Sequence, residues 1–217
     1  MGASKAAKAA THERILDIAA ARIRSDGIEG LAVADLMKEA GLTHGGFYRH
    51  FESQEQLVAE AAQRALVQGS EWTVAAGRHG GRQGYANLVD AYLSATHRDH
   101  PESGCGIAGI AADVARTSGP ARTSYTRQVR ECLRIVADLL GELDEDDAER
   151  EAALTVSALV GAITITRALG DSDVSRRLLT DVRAALKERF DRGGHFAPHE
   201  EPDPLAADIH TCAETLD

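Results

Sequence analysis

The sequence predicts an all-α protein, and three observations carry that prediction. Ala and Leu are abundant while aromatic residues are only 4% of the chain. Apolar residues recur at three- and four-residue spacing in segment after segment, and Gly and Pro are mostly confined to a few junctions between those segments. With 217 residues and 43% hydrophobic content, the chain can bury a sizeable core as one large or two small domains.

Taken in order, Ile15, Ile18, Ala19 and Ile23 keep one helical face, and Gly27 follows Asp26 as a C-terminal stop. Val33, Leu36, Met37 and Ala40 fall at i, i+3, i+4 and i+7, and Gly41 closes a second helix of about two turns. Thr43 is placed to cap a third short helix. Ser53 with Gln56 has the form of a capping box opening a fourth that runs to about Ala76. Longer amphipathic segments are expected at 83–98, 105–117, 120–141, 146–168 and 173–191, separated by RHGGR, HPESG, SGP, DEDD and GDS, each rich in turn or cap residues. The stretch from Arg192 holds three of the five prolines and little periodicity, and reads as a flexible tail. The expected division is therefore 1–52, 53–191 and 192–217.

The net charge of −10 is unevenly distributed. Residues 1–70 hold 8 basic and 9 acidic residues; the remainder holds 16 and 25. The first part is near neutral and carries Lys5 and Lys8 in its leading arm, so a DNA-facing surface there is electrostatically allowed. Three cysteines, Cys105, Cys132 and Cys212, are too few and too scattered for a disulfide framework, and no CxxC pair suggests a metal site. A reducing, cytoplasmic setting is expected. No apolar leader is present near the start, and the longest uncharged stretch, Ala152 to Thr166, is 15 residues with four hydroxyl side chains, so no membrane partner is expected. An enzyme finds no support: the sequence has no Gly-rich phosphate loop, HExxH or nucleophile elbow, and it implies no cofactor.

Two short helices meeting at Gly41, the second basic and aromatic, make a helix-turn-helix whose second helix enters the DNA major groove. Within GLTHGGFYRHF, residues 41–51, Phe47 and Phe51 are four apart and face inward. Gly45 and Arg49 fall on the opposite face, flanked by Gly46 and Tyr48. The two glycines are poor helix formers, and at the first turn of a helix they let the backbone approach phosphate closely.

The run from Arg14 to Leu57 resembles the DNA-binding domain of the tetracycline-repressor (TetR) family of bacterial transcriptional regulators. The resemblance rests on the first helix, on Val33 to Ala40, and on GLTHGGFYRHF followed by Ser-x-Glu-x-Leu. It implies a homodimer bound to a palindromic double-stranded operator. Tyr48 and Thr43 would contact phosphate, and His44, Gly45, Gly46, Arg49 and His50 would occupy the DNA-facing segment. Gln54 stands where the family commonly has a phosphate-binding Lys, which implies a shallower salt dependence.

The same resemblance implies that the later helices enclose an effector pocket and that the last two pair with those of the partner subunit. ALTVSALVGAITIT is apolar nearly all round, and the next segment carries Val174, Leu178, Val182, Leu186 and Phe190 at four-residue spacing. Leu154, Gly161, Val174, Leu178, Val182 and Leu186 are the expected dimer contacts, an intramolecular core pair being the competing reading. Trp72, Tyr85 and Tyr92 are the aromatic candidates for the pocket, though such side chains also serve plain packing. Cys105 lies between two glycines at an expected helix start, where the helix dipole favours thiolate. Its segment resembles the Gly-Cys segment of a subgroup that senses electrophiles and oxidants through that cysteine, with Gly106 replacing a bulkier residue. Three roles stay open for Cys105: a packed residue, a reactive sensor, or a metal ligand with His97 and His100. Cys132 shares a face with Val129, Val136 and Leu139 and reads as core. The expected function is a repressor released by a small molecule or by modification of Cys105; the alternative is an effector-independent architectural DNA binder or adaptor.

Overall fold

The structure, a computed structural model, describes residues 5–71, 75, 78, 80–117 and 119–191. It is all-α among those residues. Trp72, Cys212 and the expected tail lie outside them.

Helix α1, Lys5–Asp26, buries Ile15, Leu16, Ala19, Ala20 and Ile23. It starts earlier than the apolar pattern indicates, so Lys5 and Lys8 project from a helix and not from an extended arm. It ends at Gly27, whose φ of +77° suits a residue without Cβ. Helix α2, Val33–Glu39, closes in a Schellman turn. The amide of Leu42 donates to Met37 O at 2.8 Å and that of Gly41, at φ +70°, donates to Lys38 O at 3.0 Å. The next element, His44–Arg49, is a 3-10 helix where a short α-helix is expected.

Helix α3, Gln54–Gln68, opens with Ser53 accepting from the Gln56 amide at 3.2 Å, while Gln56 Oε1 accepts from the Glu52 amide at 2.7 Å. The capping box is thus shifted by one residue on its return bond. The helix stops at Gln68, short of the expected Ala76, because Gly69 and Ser70 turn where the chain meets a later helix. The expected helix 83–98 is two helices, α4 at Gly81–Tyr92 and α5 at Ala95–Asp99. Ser94 divides them by accepting from the His97 amide at 3.1 Å, a local cap that competes with helix continuation. A 3-10 turn at Pro101–Ser103 precedes α6, Gly106–Ala115. Helices α7, Pro120–Leu139, α8, Glu145–Leu169, and α9, Asp173–Asp191, follow close to their expected limits.

Helix α1 packs on α3, α3 on α7, α7 on α8, and α8 on α9. One hydrophobic core runs from Ile15 to Phe190 and joins the first three elements to the later bundle. Helix α8 carries more than its uncharged stretch suggests: at 25 residues it is long and apolar enough to cross a bilayer. One face of it packs against the bundle, burying Ala152, Thr155, Leu159, Ile163 and Thr166 together with the Glu151 carboxylate, which pairs with Arg189 at 2.8 Å.

The expected stripe on α9 requires correction. Val174 is 65% exposed whereas Leu186 is 4% exposed and belongs to the protomer core. Residues spaced strictly by four drift about 40° around an α-helix at each step, so Val174 and Phe190 lie roughly 160° apart. Leu186 and Phe190 therefore face α8 and α4, Val182 is half-buried, and only the Val174 end faces outward.

Candidate DNA interface and effector cavity

The His44–Arg49 segment is held to the body by Phe47 and Phe51, which are 3% and 2% exposed and stack with ring centroids 5.5 Å apart. Burying two such rings contributes about 1.5–3 kcal/mol each. A 3-10 helix has three residues per turn, so Gly45 lies in line with Tyr48, and Gly46 with Arg49. Tyr48 is 74% exposed, and Arg49, His44, Gly45 and Thr43 are exposed as well. Thr43 is extended and makes no side-chain cap; its carbonyl accepts from the Gly46 amide at 2.9 Å while its hydroxyl is left unused by the helix.

Neither glycine is required by the protomer. Neither has positive φ. A Cβ on Gly45 would meet nothing within 4 Å, and one on Gly46 would make ordinary contacts at 3.6 Å with Met37 Cε and 3.8 Å with Thr43 Oγ1.

His50 is half-buried at the far end of the segment, and its Nδ1 is buried without a partner among the described residues. Burial, then the charges of His12, Lys8 and Arg49, push its pKa down. Lys8 is thus close enough to act on His50. His12 stacks on Phe51 at 4.6 Å and reaches Glu60 at 3.0 Å, tying α1 and α3 over the segment.

The second candidate site is an apolar cavity of about 20 Å³, room for about one water molecule. Leu66, Leu88, Tyr92, Ile107, Val136 and Leu159 wall it, and both Cys105 and Cys132 line it. Cys132, expected as core, is half-buried on this wall, and burial pushes its pKa up to about 12. Tyr85 is not on the wall: it is buried, bonds Thr155 Oγ1 at 3.0 Å and packs on Phe190 at 4.8 Å. Tyr92 is on it, and burial first, then the neighbouring Cys105 side chain, push the pKa of its hydroxyl well above the ordinary value.

Cys105 is 6% exposed and is the residue from which α6 starts. Its amide donates to His97 Nε2 at 3.0 Å, and His97 Nδ1 bonds the Tyr92 carbonyl at 2.7 Å. This pair of bonds fixes His97 as a neutral imidazole donating from Nδ1, and burial lowers its pKa to about 4. Both ring nitrogens are therefore occupied, and His100 is exposed and turned to Glu102 at 3.1 Å. The metal-ligand role for Cys105 with His97 and His100 is overturned by that geometry; no group of three metal-ligating side chains exists among the described residues.

Around Cys105 the backbone is crowded by glycines that the spacing GCGIAGIAA signals only as small residues. A Cβ on Gly106 would lie 2.5 Å from Ala65 O, and one on Gly69 would lie 2.4 Å from the Gly106 amide nitrogen. A Cβ on Gly109 would meet Arg24 O at 3.0 Å. At the other end of α6, Asp113 accepts from the Ile28 amide at 3.0 Å. Helix α6 thus lies directly against the ends of α1 and α3, the two helices that carry the His44–Arg49 segment. Arg24, which is buried, and Arg167, which is half-buried, also lie near Cys105. Neither arginine was singled out by sequence, because each comes from a helix distant in the chain.

Of the expected dimer contacts, Leu154 (43% exposed) and Val174 (65%) are on the surface, Leu178 is half-buried, and a Cβ on Gly161 would meet nothing within 4 Å. Ile165 and Leu169 of α8, at 53% and 42%, are exposed apolar residues too and are not among the expected contacts.

Comparison with known proteins agrees with this geometry. Residues 15–61 match the family model for bacterial regulatory proteins of the tetR family, and residues 83–180 match the C-terminal domain of LmrA/YxaF-like transcriptional regulators. No curated protein matches the chain. A TetR transcriptional regulator from Chloroflexus aurantiacus J-10-fl is 26% identical, with a TM-score of 0.73 over 85% of this chain and 96% of that one. The TetR-family regulator from Cytophaga hutchinsonii (19% identical, TM-score 0.71, 88% and 98% covered) and the reduced form of E. coli NemR (18%, 0.65, 82% and 96%) share the fold. With its reading segment matched by one family model and its helical bundle by the other, the chain belongs to the TetR family of DNA-binding transcriptional regulators.

Proposed function

We propose that the chain is a homodimeric, cytoplasmic repressor that seats the His44–Arg49 segments of two protomers in successive major grooves of a palindromic operator. The observation that carries this reading is Gly45: neither its backbone conformation nor its packing calls for glycine, which supports a demand from a surface outside the protomer. A phosphate backbone approached by the free amides of a helix start meets that demand. Tyr48, Thr43 and His50 serve as phosphate contacts, His44 and Arg49 reach base edges, and Lys5 and Lys8 extend the basic flank. The dimer is supported by Leu154, Ile165, Leu169 and Val174, which are exposed apolar residues, and by Gly161, whose open space admits a close partner helix.

Release is by a ligand that opens the Cys105 cavity or by modification of Cys105 itself. Either event acts where α6 touches α1 and α3, so a shift there re-aims the reading segments. The cavity as it stands is far below the roughly 300 Å³ that a small-molecule site encloses, which favours, as a second reading, a DNA binder without an effector.

The test begins with an operator selected from random DNA. Tyr48→Ala with Arg49→Ala should lower operator affinity by at least about 100-fold, as expected for two lost contacts at each of two half-sites, with the helical circular dichroism intact. Unchanged affinity would sink the assignment. Cys105→Ser then separates the release routes: if hypochlorite still frees the variant from DNA, the thiol is not the trigger.

A further inference from the structure

A different cluster lies on the opposite side of the Cys105 turn. Where α1 ends against α5, α6 and the last turn of α8, the surface opens into a cleft of about 450 Å³, lined by Arg24, Arg98, Arg167, Asp99, Thr164 and Gly109 among others. That size is within the range of small-molecule sites. Its three guanidiniums are not equivalent. Arg98 is neutralised by Asp99 at 2.6 Å and Asp171 at 3.1 Å.

Arg24 and Arg167 have no carboxylate within 4 Å among the described residues. Arg24 is 7% exposed and is met by Glu102 O at 2.8 Å, by Gln68 Oε1 at 3.2 Å and by Ala65 O at 3.4 Å. Arg167 donates from Nη2 to His97 O at 2.9 Å, and its Nε is buried without a partner among the described residues. The Glu102 carboxylate acts on both without pairing with either, Asp17 and Glu71 act on Arg24 in the same way, and Glu102 is engaged by His100. Neutral carbonyls satisfy hydrogen-bonding geometry but leave the charge uncompensated, and removing an uncompensated cation from water is costly. Burial accordingly lowers the pKa of both arginines. Natural proteins accept that cost where the charge has a partner, and a planar guanidinium fork fits carboxylate and phosphate oxygens.

We infer that this cleft is an anion site for a small molecule bearing a phosphate or carboxylate group, held by Arg24 and Arg167 with its body against Ala108 and Gly109. It is separate from the Cys105 cavity, and its binding step needs no DNA, so it stands or falls independently of the proposed operator function.

The experiment titrates inorganic phosphate, pyrophosphate and citrate into the full-length chain in a chloride buffer of matched ionic strength, by calorimetry and thermal unfolding. Saturable binding of at least one probe below 10 mM, on the order of the concentration of common metabolites, is expected, with a Tm rise of roughly 3 °C. Phosphate or pyrophosphate binding without citrate identifies a phosphorylated ligand; the reverse identifies a carboxylate. Arg167→Gln should weaken binding at least about tenfold, the loss expected for one charged hydrogen bond. Because that variant also loses its bond to His97, Thr164→Glu is the second arm: Thr164 is exposed on the cleft wall, and a glutamate there places a carboxylate beside the arginines without touching the core. Binding abolished in Thr164→Glu supports the site. A Tm rise of equal size in that variant is general salt stabilisation and overturns it, as does the absence of saturable binding by all three probes.

Discussion

Two glycine pairs, Gly45–Gly46 in the reading segment and Gly104–Gly106 around Cys105, look alike in sequence and are opposite in structure. In front of Gly45 there is open space; in front of Gly106 there is the backbone of α3 at 2.5 Å. Gly104 is similarly closed, with His97 ring atoms at 2.8 Å and Arg167 Nη2 at 2.6 Å from a would-be Cβ. The difference separates two reasons for placing a small residue. One reason is a partner outside the protomer, and the other is the crossing of helices within it. Substitutions in the first pair should therefore cost DNA binding and spare folding, and substitutions in the second should cost folding.

The largest expected effect is at the crossing. Gly106→Ala forces a methyl against Ala65 O, where no flexible side chain can give way, so α6 and α3 must separate. Denaturant unfolding should show a loss of about 3 kcal/mol or more. A loss below about 0.5 kcal/mol would mean that the helices slide apart freely, and the contrast between the two pairs would disappear.

The reading segment was legible in sequence because everything that defines it is local: Gly41, the Phe47 and Phe51 spacing, Ser53 with Gln56. The crossing was not. Gly69 meets Gly106 from far along the chain, and the early end of α3 follows from that meeting and not from any signal near Ala76. The α9 stripe failed for a geometric reason, since spacing by four drifts around the helix and a short apolar series cannot say which part faces a neighbour. At Cys105 the sequence supplied His97 and the flanking glycines but not Arg24 or Arg167, which arrive through the packing of α1 and α8. Tyr85, an aromatic candidate for the pocket, lies off the Cys105 cavity because Thr155 and Phe190 claim that ring.

His97 sharpens the comparison by pH. It is the pin of the crossing, holding the Cys105 amide and the Tyr92 carbonyl. Its pKa is lowered to about 4, with burial the largest cause and the charge on Arg167 adding to it against the Tyr92 carbonyl. In the unfolded chain it titrates near the ordinary 6.5. Between those values the unfolded chain binds a proton that the folded chain refuses, so stability falls as pH drops from about 6.5 toward about 4, by up to on the order of 3 kcal/mol, and is unaffected above that window. His97→Gln keeps a donor and an acceptor but does not titrate. Its stability, measured by urea unfolding from pH 4 to 7, should vary less steeply than that of the parent; parallel curves would show that the imidazole is not held neutral.

On the open side the effects are smaller and change sign. Gly45→Ala adds a methyl into free space at a backbone conformation that Ala adopts, so it should stabilise the fold by about 0.5 kcal/mol through the unfolded chain. Operator affinity should fall in the same variant, because the methyl stands between the backbone and phosphate. Stability and affinity moving in opposite directions is the signature of a glycine kept for an external surface; a variant that gains stability and keeps its affinity would leave Gly45 without a function.

Thr43→Ala should have the smallest effect on folding and is the most selective probe of the same idea. A threonine preceding a helix ordinarily contributes about 1 kcal/mol by capping, and from sequence Thr43 is placed to do so. In the structure its hydroxyl makes no cap bond, only its carbonyl serving Gly46. Removing the hydroxyl should then change unfolding free energy by less than about 0.5 kcal/mol, while a lost phosphate contact in each protomer weakens operator binding severalfold and leaves the salt dependence unaltered, since a neutral donor releases no counterion. A full capping loss in the unfolding curve would instead mean that the hydroxyl turns inward in solution, and the DNA-facing role would pass to Tyr48 and its neighbours alone.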